Sequence, residues 1–198
     1  GTTREPKWIS MTHKFLKDVY GKISHLWTWN FVKYRNRLFG GHLFTTVGKE
    51  CEGYAPDGTI FGSVSGVLVR DIPAVIKKHY TAPASVMSIP DYAARNYTLM
   101  RLALQHRDVT LWATANPSTI LELLRTLDEY KEEMIKDIEL GTICDDFDIP
   151  FEIRDELDAY ICPRPKRAKE LRRIVEEKGK LEPKDFWPWL QYLSTWKC

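Results

Sequence analysis

The first seven residues combine side chains that could bind phosphate groups. The segment reads Gly-Thr-Thr-Arg-Glu-Pro-Lys and leads into a predicted strand. A small residue lets the backbone approach a polyphosphate, hydroxyls donate hydrogen bonds to its oxygens, and a lysine offsets its charge. The same residue types also occur together in ordinary turns. On chemistry alone, the segment is therefore compatible with a phosphate loop and with a plain surface turn.

Other polar groups in the sequence favour structural roles. The five histidines are scattered, and none has a carboxylate or cysteine partner at a recognisable spacing. The acidic stretch 145–148 lacks the full ligand pattern of a calcium loop, so we expect a solvated loop there. The basic residues between 164 and 173 alternate with apolar residues at helical spacing, which predicts an amphipathic helix whose charged face meets water. We therefore assign no metal site from the sequence.

The composition argues against two classes of function. The 198 residues include 29 basic and 27 acidic side chains, and a net charge of +2 lacks the basic surplus of a dedicated nucleic-acid-binding protein. No apolar run approaches the roughly 20 residues that a membrane-spanning helix needs, so we expect no membrane partner. The four cysteines lie far apart without a Cys-x-x-Cys pair, which is typical of reduced thiols in a cytoplasmic protein.

Predicted helices and strands alternate along the chain. Thr12, and Asn116 or Ser118, are plausible N-caps, Pro117 suits a first helical turn, and Gly141 is a helix stop. A strand, a tight turn and a long helix form a β-α unit, which predicts the α/β fold class. In chain order, the predicted elements are a short strand at 7–11, a helical segment at 12–34, a strand at 42–47, a helix from Pro90 or Asp91 to about Gln105, a strand at 108–115, one long helix from there to Gly141, helices near 151–161 and 165–178, and a terminal strand at 191–198.

The two ends of the chain favour a segment of a larger protein. The sequence opens without a methionine in a polar, turn-like stretch, and the strand at 191–198 stops without a turn or a partner. We therefore expect residues 1–198 to be one partial domain, truncated at both ends, with a helical subregion at roughly 150–180.

Several motifs follow one another in the order found in one enzyme family. Residues 1–7 resemble the end of the Thr-Ser-Gly-Thr-Thr-Gly-x-Pro-Lys phosphate loop of adenylate-forming enzymes, and residues 8–12 resemble its continuation. Later matches are Ile89-Pro90-Asp91 with Tyr97, Arg107-Asp108-Val109-Thr110, Asn116-Pro117-Ser118, Lys136 to Gly141, Arg164 to Leu171, and Trp187-Pro188 through Trp196. Over essentially its whole length, the chain resembles the acyl-acid amido synthetases of the auxin-responsive Gretchen Hagen family, including their bacterial relatives.

This resemblance implies part of the large N-terminal domain of an adenylate-forming, luciferase-like α/β fold. It implies a ligase that converts a carboxylic acid and ATP into an acyl-adenylate and pyrophosphate, and then transfers the acyl group to an amine. ATP and Mg²⁺ are the implied cofactors. A small carboxylic acid, an amine or amino acid, and the rest of the parent chain are the implied partners.

The resemblance also implies two sets of site residues, while catalytic residues stay unassigned. The first set, for the ATP phosphates, is Gly1, Thr2, Thr3 and Lys7, and the second set, for one wall of the acyl pocket, is Ala115, Asn116 and Pro117. For the second set, a plain helix cap is the competing interpretation.

The sequence departs from the family pattern in two respects. Arg4 stands where the family has a second glycine in the phosphate loop. The family's later Tyr-x-x-Ser-Glu and Tyr-Arg-x-Gly-Asp motifs and its small C-terminal domain are absent from the 198 residues. We therefore expect this chain alone neither to bind ATP tightly nor to turn over. The alternative function is a catalytically inactive homologue that acts as a binding or interaction protein.

Overall fold

The computed structural model describes residues 9–34, 37–49, 51–70, 72 and 74–195. The strands are β1 His42–Thr46, β2 Gly53–Tyr54, β3 Ile60–Phe61, β4 Val109–Thr114 and β5 Tyr192–Ser194. The helices are α1 His13–Phe15, α2 Lys22–Tyr34, α3 Val64–Arg70, α4 Ala74–Lys77, α5 Tyr92–Leu104, α6 Pro117–Glu129, α7 Lys131–Leu140, α8 Phe151–Leu157, α9 Pro165–Lys178 and α10 Pro183–Phe186. A π-helical turn, Leu16–Gly21, joins α1 to α2, and 3₁₀ turns lie at Leu38–Gly40 and Ala84–Ser88.

Three parallel strands form the main sheet, in the order β1-β4-β5. In the central strand β4, Leu111 lies opposite Leu43 of β1 on one side and Tyr192 of β5 on the other. Strands β2 and β3 form a separate antiparallel pair. Since the three main strands run in one direction, their amino ends share one edge of the sheet and their carboxyl ends share the opposite edge. The α/β fold class predicted from the sequence is thereby confirmed.

Large aromatic side chains hold the sheet to the segment that precedes β5. Phe44 of β1 and Trp112 of β4 are fully buried, with ring centroids 5.3 Å apart. Trp187 packs edge-on against Trp112, with ring centroids 5.4 Å apart. Aromatic rings bury more apolar area than any other side chains, so this cluster contributes a large share of the core's stability. The cluster fixes the position of the segment before β5 against strands β1 and β4.

A buried polar network joins α5 to α7. The Tyr97 hydroxyl donates to Asp137 Oδ2 at 2.6 Å, and the Thr142 hydroxyl donates to Asp137 Oδ1 at 2.7 Å. Arg101 is fully buried and donates to the backbone oxygens of Asp137 and Thr142 at 3.0 and 2.8 Å. Burial lowers the pKa of Arg101 to about 10, and burial raises the pKa of Tyr97. Each buried charge therefore has hydrogen-bond partners, as a stable interior requires.

The long helix predicted to run to Gly141 is two helices, α6 and α7. The backbone leaves the helical conformation at Tyr130, which has φ −114° and ψ 26°. The Tyr130 ring packs against Tyr97 at 5.8 Å and Phe147 at 5.4 Å between centroids. These contacts come from distant parts of the sequence, so the local apolar periodicity did not predict the break. Gly141 ends α7 with a left-handed φ of 71°, as predicted.

The charged face predicted for the helix near 165–178 is only partly correct. Arg167 of α9 is just 6% exposed. Its Nε donates to the Leu104 oxygen at 3.0 Å, its Nη2 donates to the Phe186 oxygen at 2.7 Å, and its Nη1 pairs with Glu170 at 2.8 Å. Because every guanidinium nitrogen has an acceptor, the charge can be buried, and Arg167 joins α9 to α5 and α10.

Predictions at the two ends of the chain have mixed outcomes. Thr12 caps α1 as predicted, since its Oγ1 accepts from Phe15 N–H at 3.1 Å. The strand predicted at 7–11 is wrong for residues 9–11, which are not in a strand, and residues 7 and 8 lie outside the described part. The terminal strand predicted at 191–198 is observed at Tyr192–Ser194, while residues 196–198 lie outside the described part. In the described part of the chain, no helix combines the length and the apolar character needed to cross a bilayer.

Candidate functional site

The carboxyl edge of the parallel sheet is where this architecture binds ligands. In open α/β sheets, ligands lie outside the carboxyl ends of the strands, because the loops there converge on one crevice. Here β1, β4 and β5 end at Thr46, Thr114 and Ser194. The residues that follow these three positions are therefore the candidates for substrate contacts.

The turn after the central strand contains the predicted acyl-pocket residues. Ala115, Asn116 and Pro117 are all exposed and lie between β4 and α6. Asn116 is the N-cap of α6, and its Oδ1 accepts from Ser118 N–H at 3.0 Å. Capping is thus one role of Asn116, while its amide Nδ2 is left to donate to solvent or to a ligand. A contact of this turn with the acyl group stays a prediction.

A cleft of about 410 Å³ opens beside the carboxyl end of β1. Gly48, Lys49, Met87 and Arg95 line it, and the Arg95 guanidinium lies 3.9 Å from the Tyr92 ring centroid. Glu52 lines the same cleft, so two cations and one carboxylate leave a net positive charge that suits an anionic group, and Met87 adds an apolar wall. Neither Lys49 nor Arg95 was predicted from the sequence, although a Gly-Lys pair directly after a predicted strand was an available signal.

Gly48 is held in place by two serines at the start of α3. Its backbone N–H donates to Ser65 Oγ at 2.9 Å, and the Ser63 and Ser65 hydroxyls are 2.6 Å apart. A Cβ at Gly48 would lie only 2.3 Å from Ser63 Cβ. The close approach requires glycine at this position, and it fixes the course of the chain along the rim of the cleft. The predicted phosphate-binding residues Gly1, Thr2, Thr3 and Lys7, together with Arg4, lie outside the described residues.

The opposite, amino edge of the sheet contains a second group of polar side chains. His42 begins β1, Asp108 directly precedes β4, and His42 Nδ1 donates to Asp108 Oδ1 at 2.9 Å. This hydrogen bond lowers the pKa of the Asp108 carboxyl. The His106 ring stacks on His42 with centroids 3.7 Å apart, and burial, followed by the charge of His42, lowers the pKa of His106 to about 3.

His42 has a carboxylate partner that no recognisable spacing in the sequence indicated. The pair is 66 residues apart in sequence, and only the parallel pairing of β1 with β4 brings it together. Nitrogen and oxygen atoms of His42, His106 and Asp108 lie within 4.8 Å of one another, a spacing that metal ligands can have. However, Arg107, Arg164, Lys166 and Arg167 surround the group, and their positive charges oppose a bound cation.

Comparisons with known proteins agree with the fold. The sequence matches the GH3 family N-terminal domain over residues 1–198. No curated protein sequence matches the chain closely enough to count as a relative.

Two solved structures share the fold of this chain. A structure of the GH3.15 acyl acid amido synthetase matches with a TM-score of 0.76 and 17% identity, over 96% of this chain and 34% of that one. A structure of the AtGH3.15 acyl acid amido synthetase in complex with 2,4-DB matches with a TM-score of 0.81 and 18% identity, over 99% of this chain and 34% of that one. The chain thus spans about a third of the length of these synthetases, within an adenylate-forming α/β fold. Since the family match extends over every residue, the chain belongs to the GH3 family, in its N-terminal domain.

Proposed function

We propose that this chain is part of the N-terminal adenylation domain of an ATP-dependent ligase. The ligase activates a carboxylic acid as an acyl-adenylate and transfers the acyl group to an amine or amino acid. The observation that carries the proposal is the match to the GH3 family N-terminal domain over all 198 residues. The fold shared with two acyl acid amido synthetases supports it. We place the reaction in the cytoplasm, because the cysteines in the described part, Cys51, Cys144 and Cys162, are free thiols.

The geometry at the carboxyl edge of the sheet is compatible with an acid substrate. Lys49 and Arg95 supply positive charge beside β1, and Met87 lines the same cleft. The exposed turn at Asn116 lies at the same edge, after the central strand. In the proposal, the cations attract the carboxylate or the phosphates, and the turn at 115–117 forms one wall of the acyl pocket.

ATP contacts are assigned from the resemblance. Gly1, Thr2, Thr3 and Lys7 match the family's phosphate loop, and a lysine with backbone amides and hydroxyls suits phosphate oxygens. Mg²⁺ would offset phosphate charge during attack of the carboxylate on the α-phosphorus. No residue of the described part is assigned to the metal.

A second candidate is a homologue that has kept the fold and lost catalysis. The observation in its favour is Arg4, which replaces a glycine of the phosphate loop. A side chain at this point could obstruct the close approach of the backbone to the phosphates. Intact Tyr-x-x-Ser-Glu and Tyr-Arg-x-Gly-Asp motifs in the remainder of the parent chain would favour the ligase.

The test is ATP–pyrophosphate exchange by the full-length protein with Mg²⁺ and a panel of aromatic, fatty and jasmonate-like acids. We expect exchange that depends on one class of acid, which would also narrow the substrate. The 198-residue chain serves as the control and should show no acid-dependent release of pyrophosphate. No exchange with any acid, from folded protein that has the later motifs, would favour the binding protein. Arg4→Gly would then show whether this one residue blocks the reaction.

A further inference from the structure

A second cleft, of about 530 Å³, lies at the amino edge of the sheet. His42 and Asp108, which stand at the amino ends of β1 and β4, are on its wall, together with the first residues of α9. This position is across the sheet from the carboxyl edge, where the proposed substrates bind. The cleft is therefore a separate site, with its own chemistry.

The cleft has a surplus of positive charge. Four cations line it, against two carboxylates: Arg107, Arg164, Lys166 and Arg167, with Asp108 and Glu170. Both carboxylates are already bound within the protein. Glu170 accepts from Arg107 Nε and Arg167 Nη1, each at 2.8 Å, and Asp108 accepts from His42. Arg164 and Lys166 remain as charges that these carboxylates do not neutralise.

Arg164 lines the cleft and also has one buried donor without a partner in the described part of the chain. Its Nε is buried and has no hydrogen-bond partner among the described residues. A buried donor on a charged group that lacks an acceptor costs free energy, so native structures almost always supply one. The Arg164 side chain as a whole is half-buried and lines the cleft, so its charge is available to an anion there.

Lys166 and the start of α9 add to the attraction for an anion. The Lys166 side chain is exposed, and no carboxylate of the described residues lies within ion-pair distance of it. Arg164 precedes the 14-residue helix α9, and no side chain caps the helix start. The amino end of a helix carries a partial positive charge, which favours an anion in the same place as these two side chains.

We propose that the cleft at the amino edge binds the phosphate group of a small molecule through Arg164 and Lys166. A tetrahedral phosphate has oxygens enough to accept from both side chains at once. Trp189 is 47% exposed and lines the same cleft, so a planar organic group attached to the phosphate has a surface to stack on. The phosphate is free or carried by such a group, and the bound anion would stabilise the junction of α9 with the sheet.

Calorimetric titration of the full-length protein with inorganic phosphate and with phenyl phosphate tests the proposal. We expect at least one probe to bind the wild type, and Lys166→Gln and Arg164→Gln each to weaken that binding about tenfold or more, the loss of one charged hydrogen bond. The matched control is Lys169→Gln, an exposed residue of the same helix that does not line the cleft. It should bind as the wild type does.

The two probes distinguish the sources of the phosphate. Equal affinity indicates free phosphate, whereas tighter binding of phenyl phosphate that Trp189→Ala removes indicates an aromatic phosphate ester. Absence of binding by the wild type would overturn the proposal. So would unchanged affinity in Lys166→Gln, a variant at an exposed site whose folding should be unaffected. Zinc binding that depends on His42 and Asp108, without phosphate binding, would instead assign the cleft to a metal.

Discussion

The two edges of the parallel sheet use polar residues in opposite ways. At the amino edge, His42, Asp108 and Arg167 bind other groups of the protein, and Arg167 is 6% exposed. At the carboxyl edge, the turn at 115–117 is exposed, and the Asn116 side chain accepts a hydrogen bond from Ser118 N–H at 3.0 Å. The denser set of charges thus lies away from the edge where this fold binds substrates. Charge density alone would therefore have pointed to the amino edge and not to the edge at which we propose that the substrates bind.

This difference separates stability from activity. Substitution of Arg167 at the amino edge should change the free energy of unfolding, because this side chain donates to buried backbone oxygens. Substitutions at the carboxyl edge should change activity more than stability, because those side chains have few partners within the protein. The predictions below test this separation in the full-length protein.

The largest effect is expected for Arg167→Met. The variant leaves the Leu104 and Phe186 oxygens without their donor and leaves Glu170 without one of its two cations. Each buried oxygen left without a donor costs about 1–3 kcal/mol, so we expect a loss of about 2–5 kcal/mol of unfolding free energy.

Urea unfolding followed by tryptophan fluorescence measures this loss. Arg173→Met is the matched control on the same helix, since its side chain is 68% exposed and lies 3.6 Å from Glu177. It should cost no more than about 0.5 kcal/mol, as exposed ion pairs do. Equal losses in the two variants would show that the buried contacts of Arg167 do not contribute more to stability than an exposed ion pair does.

A smaller effect is expected in the pH dependence of stability. The pKa of His106 falls from 6.5 to about 3 in the folded protein, first because of burial. The unfolded chain therefore binds more protons between these values, so stability is greatest above pH 6.5 and decreases as the pH falls through this window. One such histidine lowers the free energy of unfolding by about 2 kcal/mol between pH 7 and pH 5. The Asp108 carboxyl, whose pKa His42 holds below 3.8, titrates beneath this range.

Unfolding curves at pH 7 and pH 5 check this value. His106→Phe keeps a ring against His42 and should remove most of the decrease. His25→Phe is the control, because His25 is exposed on α2, outside the sheet. An undiminished decrease in His106→Phe would show that another group causes it.

The smallest change in stability is expected at the carboxyl edge. Asn116→Ala removes the cap of α6, which costs about 1 kcal/mol, whereas Asn116→Ser keeps a capping oxygen. If the turn contacts the acyl group, both variants should lose about tenfold in kcat/KM, equivalent to about 1.4 kcal/mol. Acid-dependent pyrophosphate exchange and urea unfolding measure the two quantities. If activity falls only in Asn116→Ala, and by no more than the loss of stability explains, the role of Asn116 is to cap α6 and not to contact the acyl group.

Local signals in the sequence predicted much of the fold. Asp91 was a possible first residue of α5 and caps it, since its Oδ2 accepts from Ala94 N–H at 2.6 Å. The strand predicted at 108–115 is observed at Val109–Thr114. Caps, glycine stops and apolar periodicity depend on a few neighbouring residues, so one sequence reveals them.

Features made by distant residues were not predicted. The break at Tyr130 depends on rings at 97 and 147, and the burial of Arg167 depends on backbone oxygens at 104 and 186. At the candidate site, the turn at 115–117 was named in advance from the family resemblance, but Lys49 and Arg95 were missed. Their proximity arises from the packing of the segment after β1 near the start of α5, which no local pattern contains.

The order of the strands also affects how the protein is made. Residues 115–191 separate the central strand β4 from β5, its second neighbour in the sheet. At typical ribosomal speeds, this stretch takes roughly 4–15 s to synthesise. Throughout that time one edge of β4, rich in apolar residues, has no strand to pair with, and such edges recruit other chains. The yield of folded protein during translation therefore depends on how well α6 to α9, or a chaperone, cover that edge until β5 emerges.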